Sequence, residues 1–308
     1  MAIIFSFASC SFDISGSWEG TDGENLGASN IVVPGSSLAE KIGWLWENAR
    51  SGGSYIIVLG RDEAAPYITL SFNNMQVSVT LKASGGERKV RYEGARPSYS
   101  LFTVGSGVTF TLEDGVVLTG LQSNSKPLVR VAGGTFIMNG GSIKDNRVTS
   151  GNSEDGGGVR LESGTFTMNN GTISGNGTSY AGGGVCVAQG TFTMYNGAIS
   201  GNTAGNENSG GGGGGGVYVG GGAFTMNGGD ISGNTGYVGG GVYVAHSATF
   251  TKSGANGIIY GSNAPDMQAN RARSRGAAVY SSNGRRDTTA RVSQAMDSRQ
   301  SGAAGGWE

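Results

Sequence analysis

The residues best equipped for chemistry are few, and most sit in one short span. Asp145, Glu154 and Asp155 lie close together in the chain beside Lys144 and Arg147. Two carboxylates facing each other across about 5–9.5 Å can hydrolyse a glycosidic bond. Clustered acids can instead hold a metal beside a base, as sugar lyases require. The ordinary reading of such charges is a solvated loop, and it is the one preferred here. Arg160 and Glu162 stand two positions apart on a strand, so alternation puts them on one face as a surface ion pair. His246 is the single histidine and follows a strand in a solvated loop, which excludes zinc–histidine sites and a triad with several candidate bases. Cys10 and Cys186 are too far apart in the chain to read as a disulfide framework or a metal site. The run Gly210–Gly216 lacks the Lys-Ser/Thr that ends a phosphate loop and reads as a flexible insertion. No catalytic residue, cofactor site or metal site is therefore assigned.

Composition narrows the partners. The 308 residues include 60 glycines, only 14% are charged, and the net charge is −1. Such a neutral surface offers nothing to nucleic acid or to an anionic membrane. No stretch reaches the roughly 20 apolar residues of a membrane-spanning helix.

The elements that position these residues form a repeat between Gly133 and Asn263. Phe136, Phe166, Phe192, Phe224 and Phe250 each centre a short apolar strand, followed by a glycine turn, an isoleucine and an asparagine. The isoleucines are Ile143, Ile173, Ile199, Ile231 and Ile259, and the asparagines are Asn146, Asn176, Asn202, Asn234 and Asn263. A further strand (Val159-Arg160-Leu161, Val185-Cys186-Val187, Val217-Tyr218-Val219, Val242-Tyr243-Val244) follows three or more glycines in each unit. The step from the first valine of this strand to Phe is seven residues, and eight only in the last copy, so most of the length variation falls in the connection after Asn. An apolar period of two with abundant glycine excludes a helical repeat. Three strands per unit are too few for a propeller blade. The expected fold is all-β, a right-handed parallel β-helix of about seven or eight three-strand coils, right-handed because parallel crossovers nearly always are.

Alternation points Val217, Val219, Phe224, Met226 and Ile231 inward and Tyr218 and Thr225 outward. Five such side chains give on the order of 10 kcal/mol of burial, less than the cost of ordering one coil, so coils must stack. The asparagines should stack at one corner as turn residues. Tyr180, Tyr218 and Tyr243 are the outward contact candidates, and Cys186 takes the same outward place as a free thiol, a chance substitution more than a role. Thr109/Thr111, Thr165/Thr167, Thr191/Thr193 and Thr249/Thr251 repeat on one face, interrupted at Ile137 and Ala223. A flat threonine array can order water and bind ice, although threonine is simply favoured on exposed strands.

The ends differ from the repeats. Residues 1–10 are apolar and end Phe7-Ala8-Ser9-Cys10, similar to the last part of a lipoprotein signal with Cys10 as lipid acceptor. The run is short and lacks an initial Lys or Arg, which points to a start upstream of Met1. Residues 11–36 read as a polar tether. Residues 37–130 hold a capping helix, with Ser37 as N-cap and Trp44 and Trp46 over the open end, followed by the first coils. Residues 131–263 are the repeat coils, and 264–308 a terminal coil with an arginine-rich tail in which seven arginines alternate with four acids.

The Phe-Thr-Met-Asn and Gly-Gly-Gly-Val-Tyr-Val units resemble the FxxN and GGA[ILV] repeats of chlamydial-type polymorphic outer-membrane proteins. The order of cap helix, Ser51-Gly52-Gly53-Ser54-Tyr55, Ser84-Gly85-Gly86, Leu101-Phe102-Thr103-Val104, repeats and closing Ala278-Val279-Tyr280 with Arg285-Arg286 is similar to spirochaete (treponeme-type) surface β-helix repeat lipoproteins. The resemblance implies a cell-envelope, surface-exposed protein, anchored to the membrane through lipid on Cys10, with adhesion or binding of a host or matrix macromolecule or polysaccharide as its role. No room remains for a C-terminal barrel, so autotransport is not expected. A polysaccharide lyase or hydrolase on the same scaffold is the alternative, and an ice-binding or passive coat protein the second.

Overall fold

The computed structural model describes residues 30–93, 99–149, 156–205, 212–262, 264–265, 267–282 and 306–307. They form an all-β solenoid of about seven turns of stacked parallel strands. Three faces run its length. On the first, Ile68, Phe102, Val129, Val159, Val185, Val217, Val242 and Val279 lie in register, each on the coil after the last. On the second, Phe110, Phe136, Phe166, Phe192, Phe224 and Phe250 do the same. On the third, Val90, Leu118, Ile143, Ile173, Ile199, Ile231 and Ile259 continue the pattern. Strands such as Val129–Met138 and Ala223–Ser232 run round a corner and serve two faces.

The inward residues follow the expected alternation. Val217, Val219, Phe224, Met226 and Ile231 are fully buried. The phenylalanine rings stack face to face, 4.6 Å apart at Phe166–Phe192 and again at Phe192–Phe224. Each such contact adds about 0.5–1.5 kcal/mol beyond the burial itself. Met138, Met168, Met194 and Met226 form the next inward column, which ends in Lys252. Burial of Lys252 lowers its ammonium pKa below the ordinary lysine value.

One corner is held by asparagine. The Asn202 Oδ1 accepts from the Asn176 backbone N–H at 2.9 Å and from its Nδ2 at 3.2 Å. The Asn202 Nδ2 donates backwards to the Ile173 carbonyl at 2.9 Å and forwards to the Asn234 Oδ1 at 3.0 Å. The asparagines are buried, so each amide satisfies groups that water cannot reach. The column runs Asn124, Asn146, Asn176, Asn202, Asn234, Asn270. Asn270 thus holds the place expected for Asn263, which lies outside the described residues. The reason is the long excursion after Ile259: the ladder takes the asparagine that reaches the corner, whatever its distance along the chain.

After the asparagine comes a short strand not foreseen in the sequence. Arg147–Val148, Gly177–Thr178, Thr203–Ala204, Thr235–Val238 and Arg271–Arg275 build a separate five-stranded parallel sheet. The glycine triplets then lead back to the first face. Gly182, Gly183 and Gly184 donate to Gly213, Gly214 and Gly215 in the next coil. A side-chain carbon at Gly184 would lie 3.0 Å from the Asn202 Nδ2 and 2.9 Å from Ile199. Glycine is required there by the asparagine column. The Gly210–Gly216 run is corrected accordingly, since Gly212–Gly216 are buried and continue this ladder and are not a flexible insertion.

Helix α1 (Leu38–Asn48) begins at Ser37, whose hydroxyl accepts from the Glu40 N–H at 3.2 Å. Leu38, Ile42 and Leu45 join the same core as the first coils, and Trp44 meets Tyr55 edge to face. Trp46 is exposed, with its indole N–H on the Thr69 carbonyl.

Candidate functional site

Three outward surfaces carry side chains able to meet a ligand. The first arises at the corner between the second and third faces. There each repeat reads Asn or Tyr, a turn residue, Gly, then a small residue: Asn139-Gly140-Gly141-Ser142, Asn169-Asn170-Gly171-Thr172, Tyr195-Asn196-Gly197-Ala198. The glycines are in the left-handed region, with φ 71°, 99° and 93°. A side-chain carbon on Gly171 would stand 2.7 Å from the carbonyl oxygens of Gly140 and Gly141. Glycine is therefore required at this corner by the preceding coil, and the turn backbone forms the floor of the surface.

On one side of the floor rises a ridge. Its outer column is hydrogen-bonded from coil to coil, with the Asn139 Nδ2 on Glu113 at 2.9 Å and the Asn169 Nδ2 on Asn139 at 2.8 Å. Tyr195 follows Asn169 on this ridge and is 55% exposed. On the other side stand Val117, Ser142, Thr172, Ala198 and Asp230, in register on successive coils. The result is an open trough of about 460 Å³ running across six coils, from Glu87 and Asp114 at one end to Asp230 at the other. Asn170 and Asn196 project along its ridge side, and the Ser142 and Thr172 hydroxyls are 2.8 Å apart on the opposite wall. Among the described residues its lining has three carboxylates and no cation.

The second surface is the outward column of the first face: Arg130, Arg160, Cys186, Tyr218, Tyr243 and Tyr280. Tyr218 and Tyr243 stack at 5.3 Å, and Tyr243 and Tyr280 at 5.5 Å. Tyr243 thus has a ring neighbour on both faces. Tyr180 lies apart on the corner turn, with Gly212 against its backbone and Gly213 against the Tyr243 ring. Glu162 receives Arg160 at 3.2 Å, as expected from alternation, and also Arg130 from the preceding coil at 2.6 Å. Burial alone would raise the Glu162 pKa, but the two guanidiniums outweigh it and hold the carboxyl below its ordinary value.

Cys186 is a thiol in no disulfide among the described residues, but its surroundings are a correction. It occupies the outward register place of Tyr218, yet it is fully buried. Alternation gives the direction of a side chain and not what lies over it. Here Gly156 and Gly182 pass across the thiol, and a side-chain carbon at Gly182 would come within 2.8 Å of the Cys186 Cβ.

The third surface is the threonine face. One outward column runs Ser54, Ser78, Thr109, Thr135, Thr165, Thr191, Ala223, Thr249, and its neighbour Ile56, Thr80, Thr111, Ile137, Thr167, Thr193, Thr225, Thr251. The Thr165 hydroxyl bonds that of Thr135 at 3.1 Å. Variable coil length does not disturb this register, because the extra residues all enter elsewhere.

The charged candidates are not brought into a site by what is described. Asp145 is half-buried in the left-handed region at φ 59°, where the following coils carry Gly175, Gly201 and Gly233 at φ 61–64°. Aspartate tolerates that conformation, and its position is explained by the turn. Among the described residues no ion pair joins Asp145 to Lys144 or Arg147. Glu154, Asp155 and Cys10 lie outside the described residues, as do Arg285 and Arg286. His246 is exposed. The trough residues Asp114, Asn170, Asn196 and Asp230 were missed in the sequence. The one signal for Asp114, Asn170 and Asn196 is a polar residue before a turn glycine, four positions after Phe, and Asp230, six after Phe224, lacks even that.

The fold defines the chain as a parallel β-solenoid repeat protein. Comparison with protein-family models, with curated proteins and with solved structures finds no match in any of the three.

Proposed function

We propose that this chain is a non-enzymatic, surface-exposed β-helix protein that binds a host or matrix macromolecule or polysaccharide. The observation that carries this reading is the trough, a glycine-turn surface repeated at coil spacing across six coils and edged by polar and small residues. A surface periodic at about 4.8 Å suits a ligand that is itself extended and repetitive. The carboxylates at its two ends, Asp114 and Asp230, are four coil steps apart, about 19 Å. That is well beyond the roughly 5–9.5 Å of a hydrolytic pair. Glu87 and Asp114 stand on adjacent coils, so a cleaving enzyme would use that end.

The lines of resemblance to spirochaete and chlamydial-type repeat proteins belong to the same proposal. So do a right-handed coil, a capping role for α1 over the first coil, and a lipid anchor on Cys10 at the cell envelope. The amphipathic burial of Leu38, Ile42 and Leu45 supports the cap. Fatty-acid labelling that is lost in Cys10→Ala would support the anchor, and labelling unaffected by that change would overturn it.

The test is retention of the full chain on a panel of polysaccharides and matrix polymers, with new chain ends read in the same wells. Retention without cleavage is the expected result. Cleavage would replace the binding reading by a hydrolase or lyase, and neither signal would leave a passive coat protein.

A second reading rests on the threonine face. Two adjoining columns supply hydroxyls at 13 of 16 positions in continuous register. Such a lattice could order water as ice does. Inhibition of ice recrystallisation that is lost in Thr167→Lys would establish it, and growth of crystals at the rate of a control protein would end it.

A further inference from the structure

We infer that the trough is the binding site, and that its ligand is a neutral, extended, β-1,4-linked polysaccharide lying along the solenoid axis. The inference rests on the binding reading above and names its site and ligand class.

Shape comes first. The trough crosses six coils, about 24 Å at roughly 4.8 Å per step. It is long, open at the surface and narrow, which fits a chain of several sugar rings and not a single compact ligand. An extended β-1,4 chain advances about one ring per coil, so successive rings meet successive coils.

Chemistry comes second. Sugar hydroxyls both donate and accept, and they are best met by groups that do the same. The Asn170 and Asn196 amides and the Ser142 and Thr172 hydroxyls are of that kind, and all four line the trough. Asp114 and Asp230 supply acceptors at its ends. Tyr195 takes the ridge position that its neighbouring coils give to Asn169 and Asn227; it is exposed and adjoins the lining residue Asn196 in sequence without itself lining the trough. An exposed aromatic ring at the rim can take the apolar face of a sugar that reaches over the ridge. Charge decides between polymers. Three carboxylates and no cation in the described lining disfavour a uronic or sulfated chain, and the hydroxyl and amide groups between them suit a neutral one.

The repeat itself provides variants that should fold. Gly140 and Gly228 already occupy the places of Asn170 and Asn196 in other coils, and Asn169 and Asn227 the place of Tyr195. Asn170→Gly/Asn196→Gly and Tyr195→Asn therefore ask the chain only for what it does elsewhere. The probe is a length series of cello-oligosaccharides, titrated calorimetrically against the full chain, with polygalacturonate as the acidic comparison. Affinity is expected to rise with length and level off once the trough is filled, with polygalacturonate not bound. Each variant should weaken the longest probe about tenfold or more while unfolding at the wild-type temperature. Binding that is independent of length, or unchanged in both variants, would overturn the trough as the site. No binding of any cello-oligosaccharide would overturn the ligand class. The broader binding reading would survive these failures if a matrix polymer were still retained, and would fall only if nothing were.

Discussion

Asn234 stands one coil beyond Asn202, and its Oδ1 accepts both the backbone N–H and the Nδ2 of Asn202, at 2.9 and 3.0 Å. One carbonyl oxygen thereby satisfies two buried donors of the neighbouring coil. Asn202→Leu would orphan the Asn176 N–H and the Ile173 carbonyl together, at about 1–3 kcal/mol each. A loss of about 3 kcal/mol in urea unfolding is expected, against less than about 0.5 kcal/mol for Asn169→Leu on the exposed ridge. Equal losses would show that the buried column is not special.

The phenylalanine stack should weaken most at its middle. Phe192 has a ring neighbour at 4.6 Å on both sides, whereas Phe250 is only partly buried and stacks on Phe224 alone at 5.1 Å. Phe192→Ala is expected to cost about 3–5 kcal/mol, and Phe250→Ala distinctly less. Thermal unfolding of the two variants side by side gives the comparison.

Acid should loosen the first face through Glu162. Its folded pKa is below the ordinary 4.5 because Arg130 and Arg160 overcome the effect of burial. The stability it contributes is therefore complete above that ordinary value and is lost as pH falls through the lower folded one. Glu162→Gln should lower the unfolding temperature near neutral pH and flatten the acid limb below about pH 4.5. Parallel curves for the two proteins down to the lowest pH would refute the linkage.

Cys186 should be unreactive in the native protein. In a Cys10→Ser background, a thiol reagent is expected to label nothing until denaturant is added, and then one site per chain. Rapid native labelling would mean that the glycine strand over Cys186 opens readily.

The trough illustrates what could not be seen along the chain. Glu87, Asp114, Asn170, Asn196 and Asp230 are spread over more than 140 positions, and only parallel stacking aligns them. Asn170 and Asn196 look like turn residues in sequence, which they are. That they also edge the trough depends on the column of residues facing them.

The sequence by itself determined the solenoid, its inward residues, the glycine turns and the existence of an asparagine corner. These follow from alternation and from φ preferences, which act within a few residues and survive any later packing. Tertiary structure decided that Asn270 closes the asparagine column, that Cys186 is covered while Tyr218 is not, and that Glu162 has a second arginine. Each of these depends on which segment of a neighbouring coil lies over or beside a residue. Coil length varies freely after the asparagine, so no fixed spacing records that neighbour, and only the stacked coils supply it.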